Sequence, residues 1–160
     1  MRIFMIIITG LLFSIAIVIK KRVSQLEVYT SNLFILFIVC VVDLIFVITY
    51  NLYGYISHGI QWFAVIILFI IYPSINTITL KYYANTNSFK GKAIYTVSVA
   101  IVYTVSEWIF LKIGFLYYNG WKLYYSAISY LFIVILIEFH LYLINKLAKK
   151  LIRTHTSGKD

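Results

Sequence analysis

Five long apolar stretches, 3–19, 32–53, 60–80, 93–111 and 123–143, fill most of this 160-residue chain, and the basic residues collect in every second gap between them. A helix rises about 1.5 Å per residue and needs roughly 20 residues to cross the hydrocarbon of a bilayer, so each stretch is close to one crossing. Backbone amides in lipid must bond to one another, which only helices and closed barrels achieve. Barrel strands alternate polar and apolar over about ten residues, and these runs do not alternate. The expected fold is an all-α membrane protein, a five-transmembrane-helix bundle. One domain is expected over residues 1–147, followed by a basic, flexible cytoplasmic tail at 148–160. With hydrophobic residues at 62% of the chain, no room is left for a soluble domain beside the helices.

The formal charge of +9 reads as topology. Lys20, Lys21 and Arg22 follow the first stretch; Lys81, Lys90 and Lys92 follow the third; Lys146, Lys149, Lys150, Arg153 and Lys159 follow the fifth. The other side receives Arg2, Lys112 and Lys122, so eleven basic residues face three. The positive-inside rule then places the amino terminus outside and the carboxyl terminus in the cytoplasm, with the basic clusters against anionic lipid head groups. Nucleic acid is not an expected partner, because no aromatic-interleaved basic surface accompanies the charge. The first stretch is expected to be retained as a helix: Lys20-Lys21-Arg22 stands where a signal peptide would carry small cleavage-site residues.

Local signals organise the rest. Val23, Leu26 and Tyr29 are spaced as a short amphipathic segment lying in the interface, and Asn32 is positioned to cap the second helix. Pro73 removes the backbone bond to the Phe69 carbonyl and is the expected helix kink. Ser74, Asn76, Thr77 and Thr79 follow it, able to bond that carbonyl or a neighbouring helix. Asn119-Gly120-Trp121 reads as a tight outer turn or small hairpin among aromatic residues of the lipid boundary. Asn85, Asn87, Ser88 and Gly91 mark the most polar internal loop.

Leu26-Glu27-Val28-Tyr29-Thr30, Tyr72-Pro73, Glu107-Trp108, Gly114, Tyr117-Tyr118-Asn119-Gly120-Trp121 and Ser126 occur in an order and spacing that resembles a family of small, uncharacterised multi-pass membrane proteins of spore-forming Firmicutes. The resemblance covers most of the chain and is sharpest from Lys90 to His140. It implies a five-helix protein of the bacterial plasma membrane. The family has no established activity, so the resemblance assigns no catalytic or binding role.

Asp43, Glu107 and Glu138 lie inside apolar stretches, where an acid costs a few kcal/mol and must face the bundle and find a partner. Helical spacing aligns Leu36, Cys40, Asp43, Val47 and Tyr50; Thr96, Ala100, Tyr103 and Glu107; and Ser126, Tyr130, Glu138 and Tyr142. If these stripes converge, Asp43, Tyr103, Glu107, Tyr130 and Glu138 form one intramembrane polar seam, a staggered acidic line with no Lys or Arg deep enough to neutralise it. His140 is about 200° around the axis from Glu138, which argues against an acid–base couple and for an interface or helix contact. His58 and His155 fall in other segments, and Cys40 is the lone cysteine, so no metal site or disulfide is expected. No cofactor motif is present, and the residues identify no catalytic group.

Three functional classes remain open. The favoured one is a non-enzymatic subunit that binds a lipid, a ligand or a membrane-protein partner, alone or as a homo-oligomer. A small proton or cation transporter, or an oligomeric channel using the buried carboxylates, is the alternative. An intramembrane lipid-modifying enzyme is the third, and it needs two acids with separated proton affinities.

Overall fold

The computed structural model describes residues 2–18, 23–56, 61–83 and 88–157. Lys20, Lys21, Arg22, His58, Asn85, Asn87 and Lys159 lie outside the described residues, as do the side chains of Lys149, Arg153 and His155. Among the described residues there are five α-helices: α1 (Arg2–Val18), α2 (Gln25–Asp43), α3 (Trp62–Tyr83), α4 (Phe89–Lys112) and α5 (Leu123–Ser157). A π-helical segment, Leu44–Thr49, continues α2, and two short strands, β1 (Tyr53–Tyr55) and β2 (Leu116–Tyr118), complete the fold. Four helical runs, Gln25–Thr49, Trp62–Tyr83, Phe89–Lys112 and Leu123–Ala148, are long and apolar enough to cross a membrane. The apolar α1 is shorter, at 17 residues.

The helix starts follow from local chemistry. The Ser24 hydroxyl accepts from the Glu27 amide at 3.2 Å, and the Glu27 carboxylate accepts from the Ser24 amide at 2.6 Å. This capping box begins α2 at Gln25, so the segment expected to lie apart in the interface forms its first turns. Asn32, expected as the cap, lies inside the helix and is released for a tertiary contact. At the other end the helix widens: the Tyr50 amide bonds the Ile45 carbonyl, and the Thr49 hydroxyl bonds the Leu44 carbonyl. The second helix therefore stops short of the expected residue 53, and the chain leaves it as a strand.

α4 ends in a Schellman motif. The Phe115 amide bonds the Phe110 carbonyl at 3.0 Å, and the amide of Gly114, at φ +72°, bonds the Leu111 carbonyl at 3.2 Å. Phe110 and Phe115 meet as the apolar pair that accompanies this motif, with ring centroids 5.5 Å apart. α5 runs well past residue 143 and through Ser157, so most of the segment expected to be a flexible tail is helix.

Around the bundle the neighbours are α3, α2, α5 and α4 in turn, closing through a narrow α4–α3 contact, with α1 packed against the outside of α3. α1 and α3 run parallel. Arg2 lies over the Phe63 ring, and Met5 packs with Ala64 and Ile67, whereas Ala16 and Ile17 reach the level of Ser74 and Thr77. A core at one end joins α1, α3 and Phe115; another, of Ile35, Leu80, Ile137 and Leu141, joins α2, α3 and α5 at the other.

The fold departs from all-α at the first of these ends. β1 pairs antiparallel with β2 in the register Tyr53↔Tyr118, Gly54↔Tyr117, Tyr55↔Leu116. Asn119-Gly120 therefore does not close a local hairpin. Tyr117 and Tyr118 pair with a strand more than sixty residues earlier, and the Asn119 amide bonds the Leu52 carbonyl at 2.7 Å. The α2–α3 and α4–α5 connections are thereby joined into one strap across the end of the bundle.

Candidate functional site

The strap explains where two of the three acids find partners. Side chains alternate along a strand, so Tyr53, Tyr55, Leu116 and Tyr118 share one face of the pair, and Gly54 and Tyr117 share the other. The first face meets the bundle. Asp43, the last residue of α2, accepts from the Tyr53 hydroxyl at 2.8 Å and from the Tyr55 hydroxyl at 3.2 Å. Glu107, on α4 and only 7% exposed, accepts from the Tyr118 hydroxyl at 2.6 Å and the Ser126 hydroxyl at 2.8 Å. Ser126 in turn accepts from the Trp121 indole N–H at 2.8 Å. The π segment that follows Asp43 changes the course of the chain into β1, which is how a residue on α2 meets phenols only ten and twelve positions later.

Tyr72 of α3 adds its hydroxyl beside that of Tyr55, and Tyr130 of α5 is close enough to feel Glu107, Tyr72 and Tyr53. Tyr103 packs edge-to-face on Tyr130 at 5.6 Å and meets the Thr79 hydroxyl at 3.0 Å. The cluster thus draws one or more groups from each of α2, α3, α4 and α5 and three phenols from the strap. Burial holds the Tyr53, Tyr55 and Tyr118 phenols well above the ordinary tyrosine range. Asp43 adds to the effect at Tyr53, Tyr72 at Tyr55, and the bond to Glu107 at Tyr118. These phenols are donors under all ordinary conditions. Glu107 Oε2 is buried without a hydrogen-bond partner among the described residues.

Four of the five seam residues, Asp43, Tyr103, Glu107 and Tyr130, therefore come together. Glu138 does not. It lies toward the opposite end, where it accepts from the Thr96 hydroxyl and senses Lys92 and Tyr83; Lys92 Nζ stands 4.9 Å from the Tyr83 ring centroid. The continuous acidic line is replaced by two separate polar clusters, and Lys92 corrects the expectation that no cation reaches the acids. Along the first stripe, Cys40 and Tyr50 are exposed, and Tyr142 is exposed on the third. His140 stacks on Phe34 of α2, with centroids 4.4 Å apart and planes 5° from parallel, so it is a helix contact away from Glu138.

A third polar group lies inside the bundle. Asn76, 1% exposed, donates to Asn32 at 2.8 Å, and Asn32 donates to Thr77 at 3.0 Å. This ties α2 to α3 one turn beyond Pro73. Ser74 bonds the Ile70 carbonyl at 2.7 Å, so the polar residues after the proline serve both their own backbone and a neighbouring helix. Beside them, α1, α2 and α3 leave a groove of about 350 Å³, lined by Phe13, Ile17, Phe69, Pro73, Asn32 and Thr77 among others.

Tyr53, Tyr55 and Tyr118 are ligands of the acids that helical spacing does not single out, because all three lie outside the helices. The alternation Tyr53-Gly54-Tyr55 was the available signal for a strand. Among the described residues no three His, Cys, Asp or Glu side chains are grouped to hold a metal ion. Comparison with protein-family models, with curated proteins and with solved structures finds no match.

Proposed function

We propose that this chain is a non-enzymatic, multi-pass protein of the bacterial plasma membrane that binds a membrane lipid. In this reading α1 is the fifth crossing, parallel to α3, and the strap lies at the outer face. The eleven-to-three division of basic residues supports that orientation.

The groove between α1, α2 and α3 carries the lipid reading. It lies on the membrane-crossing parts of α2 and α3, its walls are apolar, and Asn32, Ser74 and Thr77 offer hydrogen bonds along it. A chain of hydrocarbon is the material such a groove meets in a bilayer, and the polar residues supply a point of discrimination. The acids fit a non-catalytic role. Asp43 is engaged by two phenols and Glu107 by two hydroxyls, so both act first as staples between elements.

Native mass spectrometry of protein released from nanodiscs tests this directly. A retained adduct with the mass of a phospholipid is expected, and Ala16→Trp, which fills the groove from α1, should remove it. An adduct that survives Ala16→Trp, or protein that flies bare from lipid nanodiscs, would count against the groove.

Glu107 Oε2, buried without a hydrogen-bond partner among the described residues, favours a second reading, a proton or cation path through the cluster. Flux in proteoliposomes that falls in Glu107→Gln would support it; equal flux in empty vesicles would eliminate it.

A further inference from the structure

We infer that Ser31, Asn76 and His140 form a buried water site where α2, α3 and α5 meet, holding one ordered water that bridges the three helices.

The site starts from polar atoms that the protein does not pair. Ser31 is fully buried and Asn76 is 1% exposed. Among the described residues Ser31 Oγ, Asn76 Oδ1 and His140 Nε2 are shielded from the surface and have no hydrogen-bond partner. Burying such a group unbonded is costly, and folded interiors pair nearly all of theirs with protein or with ordered water. All three lie on helical runs long and apolar enough to cross a membrane, where hydrocarbon supplies no partner from outside.

The three groups also lie at one level of the bundle. Asn76 donates from Nδ2 to Asn32, the residue after Ser31, at 2.8 Å, which leaves its Oδ1 as a spare acceptor. The His140 ring lies beside the carbonyl of Thr30, the residue before Ser31, and stacks on Phe34, about one turn further along α2. Ser31 therefore stands between the contact of α2 with α3 and its contact with α5. Ile35, one turn on from Ser31 along the same face, packs with Leu80 of α3 and with Ile137 and Leu141 of α5. That shared face of α2 points between the two other helices.

The donor and acceptor chemistry fits a single water. The Asn76 carbonyl only accepts, whereas a hydroxyl and an imidazole nitrogen can each donate or accept. A water that donates to Asn76 Oδ1 keeps one proton and its lone pairs for Ser31 and His140. That gives roughly three bonds, the usual complement of a buried water. Asn32 lines the groove between α1, α2 and α3 and so stands between it and this site. The water site holds whether or not the groove takes a lipid.

The test uses the full chain in lipid vesicles, with its histidine ring nitrogens isotope-labelled and His58→Gln and His155→Gln leaving His140 as the one imidazole. Solid-state NMR reads magnetisation passing from water protons to His140 Nε2. Transfer is expected in this parent protein. Ser31→Ala, which keeps the Asn32–Asn76 bond, should weaken it severalfold. Asn76→Leu, which puts an apolar side chain in place of the acceptor, should abolish it. The parent measurement changes no residue of the described bundle core, so it decides the matter even where a core variant fails to fold. Absence of transfer there means a dry junction and overturns the site. Full transfer in folded Ser31→Ala or Asn76→Leu means that water reaches His140 without these groups, and overturns it equally.

Discussion

Glu107 shows how a single buried acid is made tolerable. Tyr118 and Ser126 both donate to Oε1, and Trp121 supports Ser126 from behind. Glutamine preserves an acceptor for these hydroxyls, whereas leucine strands them. Glu107→Leu should therefore cost about 1–3 kcal/mol, the penalty of unpaired buried polar groups, and Glu107→Gln clearly less. Thermal unfolding in detergent distinguishes the two. The phenols carry a second prediction. Tyr53, Tyr55 and Tyr118 have proton affinities raised above those of the unfolded chain, so their contribution to stability is complete below the ordinary tyrosine pKa of about 10. It is lost as pH rises above that value, toward the folded-state range. Tyrosinate absorbance near 295 nm should then appear for these three side chains only together with loss of the strap. Phe replacements at the three positions identify their share of the signal. Titration of all three at pH 10 with the fold intact would contradict the geometry.

Between elements, the strap depends on one glycine. A Cβ at Gly54 would overlap the hydroxyl and ring of Tyr117, its cross-strand partner. Gly54→Ala should therefore disrupt the pair and lower the unfolding temperature, because the obstacle is an aromatic ring lying across the strand. Tyr117→Ala removes the obstacle, so the double variant should be more stable than the sum of the single changes predicts. A purely additive result would show that Tyr117 does not lie over Gly54. The Asn32–Asn76–Thr77 link plays a comparable role between α2 and α3, fixing which faces meet rather than supplying much energy. Its members were visible in sequence as a cap and as the polar run after Pro73. Their partnership was not, because forty-four positions separate Asn32 from Asn76.

For the molecule as a whole, the polar groups divide between the two ends of the bundle. The strap end carries Asp43 and Glu107 under aromatic residues; the opposite end carries Glu138 with Thr96, near Lys92 and Tyr83. The proposed orientation puts the strap outside. Lys122 and Lys146 are exposed on opposite ends, so cysteine at each position reports the orientation. In intact cells lacking Cys40, Lys122→Cys should react with an impermeant reagent, and Lys146→Cys should react only after the membrane is opened. The reverse pattern would invert the bundle.

The sequence by itself determined what repeats along it or acts over a few residues. Apolar length specified helices, periodicity singled out the Thr96-to-Glu107 face of α4, and the Asp43, Glu107 and Glu138 carboxylates demanded partners wherever they lay. Ser24 and Glu27 encoded the start of α2 just as locally, although the apolar pattern pointed to Asn32 instead. Tertiary structure alone decided which groups those partners are. Tyr53 pairs with Tyr118 only because α2 and α4 end on the same side of the bundle. A strand that draws its hydrogen bonds from a distant segment leaves little local trace. That non-local pairing is what turns boundary tyrosines into ligands of two buried acids.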